Sequence, residues 1–353
     1  MLGGILPGML RDEPLLPVLT SRAEARQAGL TDRQLTRRLR NGDWRAVRRG
    51  LLVPGAALDR VDPDQLEIVA AVRSTGRDVA VAVAHAARIW GLARPVRGWG
   101  KPMLLASSGP TRNQGDLCIR VAPIVDGDLL ELPDGLVVTS PCRTVADCAR
   151  MLWAPDALAV ADSALRQRLL SRSELATRLD LMKGWPGIVQ ARRVLGLADP
   201  RRETALESWS ALAFDDAGVP MPQFQLDVHD LAGFVGRVDF LWSCGLVGES
   251  DGRTKYRLAA AQRRGEPAER LAAVLDEERE RERRLRATGA GVVRWGPRDV
   301  LTPSRADALA THIRRELADQ MNRQVQATAR PAPLRLTPST GLLLLKASNR
   351  YIA

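Results

Sequence analysis

Val235-Gly236-Arg237-Val238-Asp239-Phe240-Leu241-Trp242, followed by Leu246-Val247-Gly248-Glu249-Ser250-Asp251, is the stretch on which the reading of this chain turns. Only Ser243, Cys244 and Gly245 separate the two apolar runs, so Val235 to Trp242 and Leu246 to Ser250 read as strands paired in a hairpin. Asp239 lies inside the first run between apolar neighbours. Glu249 and Asp251 close the second, two apart and on one face if the strand continues. A carboxylate embedded in an apolar strand is costly unless it is paired or meets a cation.

Ahead of the hairpin, Arg202 to Asp216 reads as a helix with Leu206, Trp209, Leu212 and Ala213 on one face and Glu207 flanking that stripe. Gly218-Val219-Pro220 ends it, and Phe224 to Val228 reads as a first strand. Behind the hairpin come a charged helix, Pro267 to Thr288, a strand, Gly291 to Trp295, and a closing helix, Arg305 to Leu317. The resulting α-β-β-β-α-β-α order is that of a restriction-endonuclease-like core. Asp239, Glu249 and Asp251, joined by Glu207 from the preceding helix, would form an oxygen-rich pocket suited to Mg²⁺ or Mn²⁺. Lys255 follows shortly, where an ammonium group would position a water or stabilise a charged transition state.

Five ordered segments carry a resemblance: Glu207-Ser208; Arg237 to Phe240; Gly248-Glu249 with Asp251-Gly252-Arg253 and Lys255-Tyr256; Glu278 to Glu282; and Val292 to Trp295. Together they resemble actinobacterial proteins whose carboxy-terminal domain is similar to very-short-patch-repair endonucleases of the PD-(D/E)xK superfamily. The resemblance implies metal ligation by Asp239 and Glu249, with Glu207 and Asp251 as further ligands, Lys255 as a catalytic member and Glu278 beside them. Two positions depart from the pattern. Ser250 stands where relatives carry an apolar or aromatic residue, and Asp251 holds the place of the superfamily's lysine, two residues after the Glu. On the residues alone, the alternation of Glu and Arg around Glu278 reads as a solvated, salt-bridged helix.

The charge of the chain is concentrated elsewhere. It has 52 basic and 41 acidic residues, a net +11. Residues 20–50 hold nine Arg and three acids, and residues 321–353 hold five basic residues and no acid, so these two segments account for the whole excess. That distribution points to a polyanionic partner at the amino end. Ser21 with Glu24 forms a capping box for a short helix that Gly29 closes, and Thr31 caps a second helix over Asp32 to Arg40. After the Asn41-Gly42 turn, Trp44 to Val53 alternates as a ribbon bent at Gly50. Helix, turn, Arg-rich helix and basic ribbon are the order of a winged helix-turn-helix. Arg33, Arg37, Arg38, Arg40, Arg45, Arg48 and Arg49 are its candidate DNA contacts, with the second helix in a major groove and the ribbon on phosphates. The alternative is a solvated basic face on an ordinary helical domain. Gly29-Leu30-Thr31, Gln34-Leu35, Arg37 to Arg40, Gly42, Trp44 and Arg48-Arg49-Gly50 resemble the winged-helix region of AbiEi-type antitoxins, regulators of type IV toxin-antitoxin systems. That resemblance implies a transcriptional role and a toxin partner that the residues do not identify.

Between 60 and 200 the pattern is mixed α and β, read as a linker domain with no visible chemistry. Val79 to Leu92 fits a strand or a buried helix, and His85 within it reads as packed. His85 to Leu92 is similar to the segment that follows the winged helix in the same antitoxin-like proteins. Cys118, Cys142, Cys148 and Cys244 contain no CxxC pair, and with three His this argues against zinc or a disulfide framework and for a reducing cytoplasm. Met1 to Leu10 lacks a basic lead and runs into Arg11-Asp12-Glu13, so it does not read as a signal peptide. The longest apolar run, Val79 to Ala87, is too short to span a bilayer.

The expectation is therefore a multidomain α/β protein: a winged helix-turn-helix (1–58), a mixed α/β domain (59–199), a restriction-endonuclease-like α/β domain (200–320) and a disordered basic tail (321–353). Its expected activity is metal-dependent hydrolysis of DNA, in the cytoplasm and away from membranes. The alternative is a noncatalytic regulator of the antitoxin type with a degenerate nuclease fold.

Overall fold

The computed structural model describes residues 19–250, 268–326 and 335–338. The chain divides into two compact units, Met1–Pro200 and Arg201–Ala353, and each mixes helices with sheet.

In the first unit, β1 (Thr20–Ser21) leads into α1 (Arg22–Gln27), where the Ser21 hydroxyl accepts from the Glu24 amide and the Glu24 carboxylate accepts from the Ser21 amide. The same reciprocal cap, Thr31 with Gln34, starts α2 (Asp32–Arg40). β2 (Trp44–Arg48) and β3 (Leu51–Pro54) form an antiparallel hairpin, and β1 pairs with the other edge of β3. A short α3 (Gly55–Leu58) and then α4 (Pro63–Arg73) follow. β3 is buried on both faces: Leu52 packs with Ala25 and Leu35, while Leu51 and Val53 pack with Leu66 and Val69 of α4.

The ambiguous stretch 79–92 contains both elements, β4 (Ala80–Val81) and α5 (Val83–Ile89). The residues of 79–87 are all buried, so the apolar pattern has no period to separate strand from helix. β5 (Met103–Ala106), β6 (Arg112–Gln114), β7 (Leu117–Val121), β8 (Leu129–Glu131) and β9 (Val137–Thr139) join β4 in a mixed sheet of order β6-β7-β5-β4-β9-β8. Four helices complete the unit: α6 (Pro141–Met151), α7 (Ala154–Arg166), α8 (Arg172–Leu181) and α9 (Ile188–Leu197).

The second unit begins with α10 (Ala205–Asp216). Then come β10 (Gln223–Asp230), β11 (Gly233–Leu241), β12 (Leu246–Ser250), α11 (Ala268–Ala287), β13 (Gly291–Trp295), α12 (Pro303–Gln326) and β14 (Arg335–Pro338). The sheet order is β13-β12-β11-β10-β14, antiparallel except for the parallel β12–β13 pair. One face carries Phe240, Trp242, Leu246 and Trp295 against α10 and α12; the other carries Val228, Leu241 and Val247 against Leu285 of α11. Phe214 lies edge-on to Phe240, Trp242 and Trp295, at centroid distances of 5.9, 5.6 and 5.5 Å. Gly248 makes room for this cluster, since a Cβ there would come within 2.6 Å of the Trp295 ring.

The carboxy-terminal segment departs from the disordered tail expected for 321–353. α12 continues to Gln326, anchored where the buried Gln320 amide donates to the Gly289 carbonyl at 2.7 Å. Arg335–Pro338 adds an edge strand to β10. The remainder of that tail, like residues 1–18, lies outside the described residues. Among the described residues no helix is long and apolar enough to cross a membrane.

Candidate functional site

Two regions hold the residues singled out by sequence. The first is the surface of α2 and β2. Arg33, Arg37, Arg40, Arg45 and Arg49 are exposed and Arg38 is half-buried. Among the described residues no carboxylate pairs with any of these six. The three acids of the segment are taken up differently: Glu24 pairs with Arg73, Asp32 with Arg26, and Asp43 accepts from the Asn41 amide. Arg48 does not belong with the other candidates. Its side chain is 7% exposed and pairs with Asp116 at 2.9 Å and Glu67 at 3.9 Å. It therefore braces β2 internally instead of facing a partner. Burial, then the Arg48 charge, pulls the pKa of the packed His85 down to about 4.

The second region is built on α10, β10, β11 and the end of β12. In a regular strand, residues two apart share a face. Here Phe224 and Phe240 pack with α10, whereas Leu226 and Val238 pack toward α11. These four are cross-strand partners, Phe224 with Phe240 and Leu226 with Val238. Both strands therefore change face between them, at Gln225 and Asp239. Gln225 makes the change with φ at +53°, a conformation that a non-glycine residue adopts only when its surroundings impose it.

The crossover gathers two carboxylates. Gln225 Nε2 donates to Glu207 Oε2 at 2.9 Å and to Asp239 Oδ1 at 3.2 Å. Asp239 Oδ2 accepts from the Ser250 amide at 3.0 Å and from its hydroxyl at 2.7 Å. Glu207 accepts from the Glu203 amide at 2.9 Å and the Thr204 hydroxyl at 2.8 Å. Glu207 is fully buried, and burial, reinforced by the Asp239 charge, raises its pKa to about 7 despite those donors.

Glu249 is not brought to this pair. Adjacent strand residues point to opposite faces; as Ser250 meets Asp239, Glu249 turns to α11 and β13. There Arg281 Nη2 lies 2.6 Å and Arg294 Nη2 3.0 Å from its two oxygens. Glu278 joins the same network through both arginines, so the salt-bridged reading of that helix describes it. Asp251 and Lys255 lie outside the described residues. Among the described residues no three His, Cys, Asp or Glu side chains form a group able to hold a metal ion. Glu207 and Asp239 are two buried carboxylates that share one amide donor, and Glu207 holds its proton to near neutrality. Sequence reasoning missed Gln225 and Ser250. The available signal was Phe224-Gln225-Leu226, a lone polar residue between apolar ones, matching Val238-Asp239-Phe240 across the hairpin.

The raised pKa has a thermodynamic consequence. Glu207 binds its proton more tightly in the folded chain than in the unfolded one, so stability declines as pH rises from the unfolded value of 4.5 through about 7. The loss reaches up to ~3 kcal/mol. Glu207→Gln should therefore raise the unfolding midpoint near pH 8 and leave it almost unchanged near pH 5, where the native carboxyl is protonated. Chemical denaturation at both values measures this. Equal shifts at the two would contradict it.

No family model matches the chain. Over 116 residues it is 40% identical to two uncharacterized proteins from two strains of Mycobacterium tuberculosis, a stretch that makes up 33% of this chain and 43% of each relative. The chain thus spans less than half the length of these curated relatives.

Proposed function

We propose that the protein binds DNA through residues 20–53 and hydrolyses phosphodiester bonds at a site centred on Glu207 and Asp239. The order α1, α2, β2, β3 supports reading the amino end as a winged helix-turn-helix of the AbiEi antitoxin type, with α2 in the major groove and β2 along the backbone. The order α10, β10 to β12, α11, β13, α12 supports reading the second unit as restriction-endonuclease-like, similar to very-short-patch-repair enzymes.

One observation carries the chemical part: Glu207 and Asp239 are buried together, with donors aimed at both and the proton affinity of Glu207 raised to about 7. Carrying two charges costs such a pair stability, and a bound cation would offset that cost. Glu207 and Asp239 would hold Mg²⁺ or Mn²⁺, which when bound lowers the pKa of a water and draws charge from a phosphate oxygen. Ser250 and Gln225 fix the Asp239 oxygens, and Thr204 and the Glu203 amide fix those of Glu207. Glu207 exchanges its proton near neutrality, so cation capture is coupled to proton release from its carboxyl.

A second reading has its own observation. Glu249 is neutralised by Arg281 and Arg294, an arrangement that a metal ligand would have to leave. That favours a noncatalytic regulator of the antitoxin type, which binds an operator and uses its other parts for partners such as a toxin. Supercoiled plasmid incubated with the purified protein and Mg²⁺ or Mn²⁺ separates the two. Nicking that a chelator abolishes supports the nuclease; DNA binding without nicking in either metal selects the regulator.

A further inference from the structure

The first unit contains a cavity of about 570 Å³, bounded by β5, β7, α6 and the loop ahead of α9, a size typical of small-molecule sites. Much of its lining is apolar, including Val83, Met103, Val121 and Met151. The rest is charged and one-sided: Arg120, Arg143 and Arg150 face it with Asp147 as the single lining carboxylate.

Asp147 is already shared. Its Oδ2 accepts from Arg143 Nε at 2.6 Å and its Oδ1 from Arg150 Nη1 at 2.7 Å. Behind the wall, Asp128 is shared in the same way, by Arg143 at 2.7 Å and Arg178 at 2.7 Å. Arg120 is exposed and has no carboxylate partner among the described residues. Burial lowers the pKa of Arg150; Asp147 opposes that, and the like charges of Arg143 and Arg120 add to it. Arg143 and Arg150 have side chains only 1% and 9% exposed, so excess positive charge is held where water screens it poorly.

The groups are also fixed in place. Arg143 Nη1 donates to the Pro123 carbonyl at 3.0 Å, and Arg150 Nε to the Pro186 carbonyl at 2.9 Å. Both guanidinium groups lie over the Trp185 ring, 5.1 and 4.9 Å from its centroid. Gly187 lets the loop close down: its φ is +80°, and any side chain there would strike the Arg150 carbonyl. Val83, a β-branched residue on the cavity wall, is held at φ +53°, a strained conformation of the kind that clusters at ligand sites.

We infer that this cavity binds a small organic anion, with a carboxylate or phosphate head against Arg120 and Arg150 and an apolar body along Met103, Val121 and Met151. The head supplies the charge that the three lining arginines lack, and the body covers the apolar wall. The inference goes beyond the DNA and nuclease readings and shares no residue with them.

Calorimetric titration of the full chain with anilinonaphthalene sulfonate, an anion on an aromatic body, tests it against the neutral phenylnaphthylamine. One site per chain is expected, with the neutral probe weaker by at least about tenfold. Arg120→Gln removes an exposed side chain that pairs with no carboxylate among the described residues, so the fold is retained, and should weaken the anion about threefold to tenfold. Met103→Trp fills the cavity and should abolish binding. Replacing Arg33, Arg37, Arg45 and Arg49 with Gln controls for loose capture at the basic face and should leave the affinity unchanged. Octanoate and octyl phosphate then compete with the probe, and the stronger competitor identifies the head group. Equal affinity for the neutral probe, indifference to Arg120→Gln, loss of binding in the basic-face variant, or failure of both competitors would each overturn the inference.

Discussion

Asp239→Asn should reduce metal-dependent plasmid nicking by about 100-fold or more while leaving DNA affinity where it was. The substitution keeps the shape of the side chain and removes the charge that a divalent cation needs. It also turns an amide group toward donors, since Asp239 accepts from Ser250 twice and from Gln225 once. A readout independent of activity accompanies it. The Asp239 charge is one of two causes that raise the pKa of Glu207, so in Asp239→Asn the decline of stability between about pH 5 and pH 8 should flatten. Undiminished nicking would move the chemistry elsewhere, and an unchanged pH profile would mean that the two carboxylates do not sense each other.

The other large effect concerns salt. With Arg33, Arg37, Arg45 and Arg49 replaced by Gln, the slope of log affinity for duplex DNA against log salt should become shallower by about 2 to 4, close to one each for Arg45 and Arg49 on phosphates and up to as much again for the charges of Arg33 and Arg37 on the groove-facing helix. Loss of Arg45 and Arg49 should lower affinity to a similar degree on unrelated sequences, because guanidinium groups on phosphates carry no base information, whereas loss of Arg33 and Arg37 from the groove-facing helix should also relax sequence preference. Arg48→Gln provides the contrast. It should leave the slope nearly intact and lower stability instead, because Asp116 and Glu67 lose their shared partner. A slope that follows Arg48 and ignores the other four would place the DNA-binding face on a different surface.

Local signals made much of this molecule legible. The caps at Ser21 and Thr31 announce α1 and α2 because capping is written within four residues. The three-residue strands β6 (Arg112–Gln114) and β8 (Leu129–Glu131) carry too little alternation to stand out in sequence. The closing helix outran its expected end because the buried Gln320, which anchors it, looks like any surface glutamine in sequence. At the carboxylate site, Asp239 stood out by its apolar neighbours. The role of Gln225, and the turning of Glu249 away from Asp239, depend on where two strands change face. That is a property of the paired hairpin, and regular alternation along either strand alone predicts the opposite.

The short strand Arg335–Pro338 has a meaning beyond its own pairing. It lies along Leu226 to His229 and leaves β10 inside the sheet instead of at its rim. A proteolytic cut after Gln326 would strip that cover and present the main chain of β10 as a template on which a second copy could add its own strand. Four residues in a segment rich in Pro, Ser and Thr thus keep the backbone edge of β10 covered.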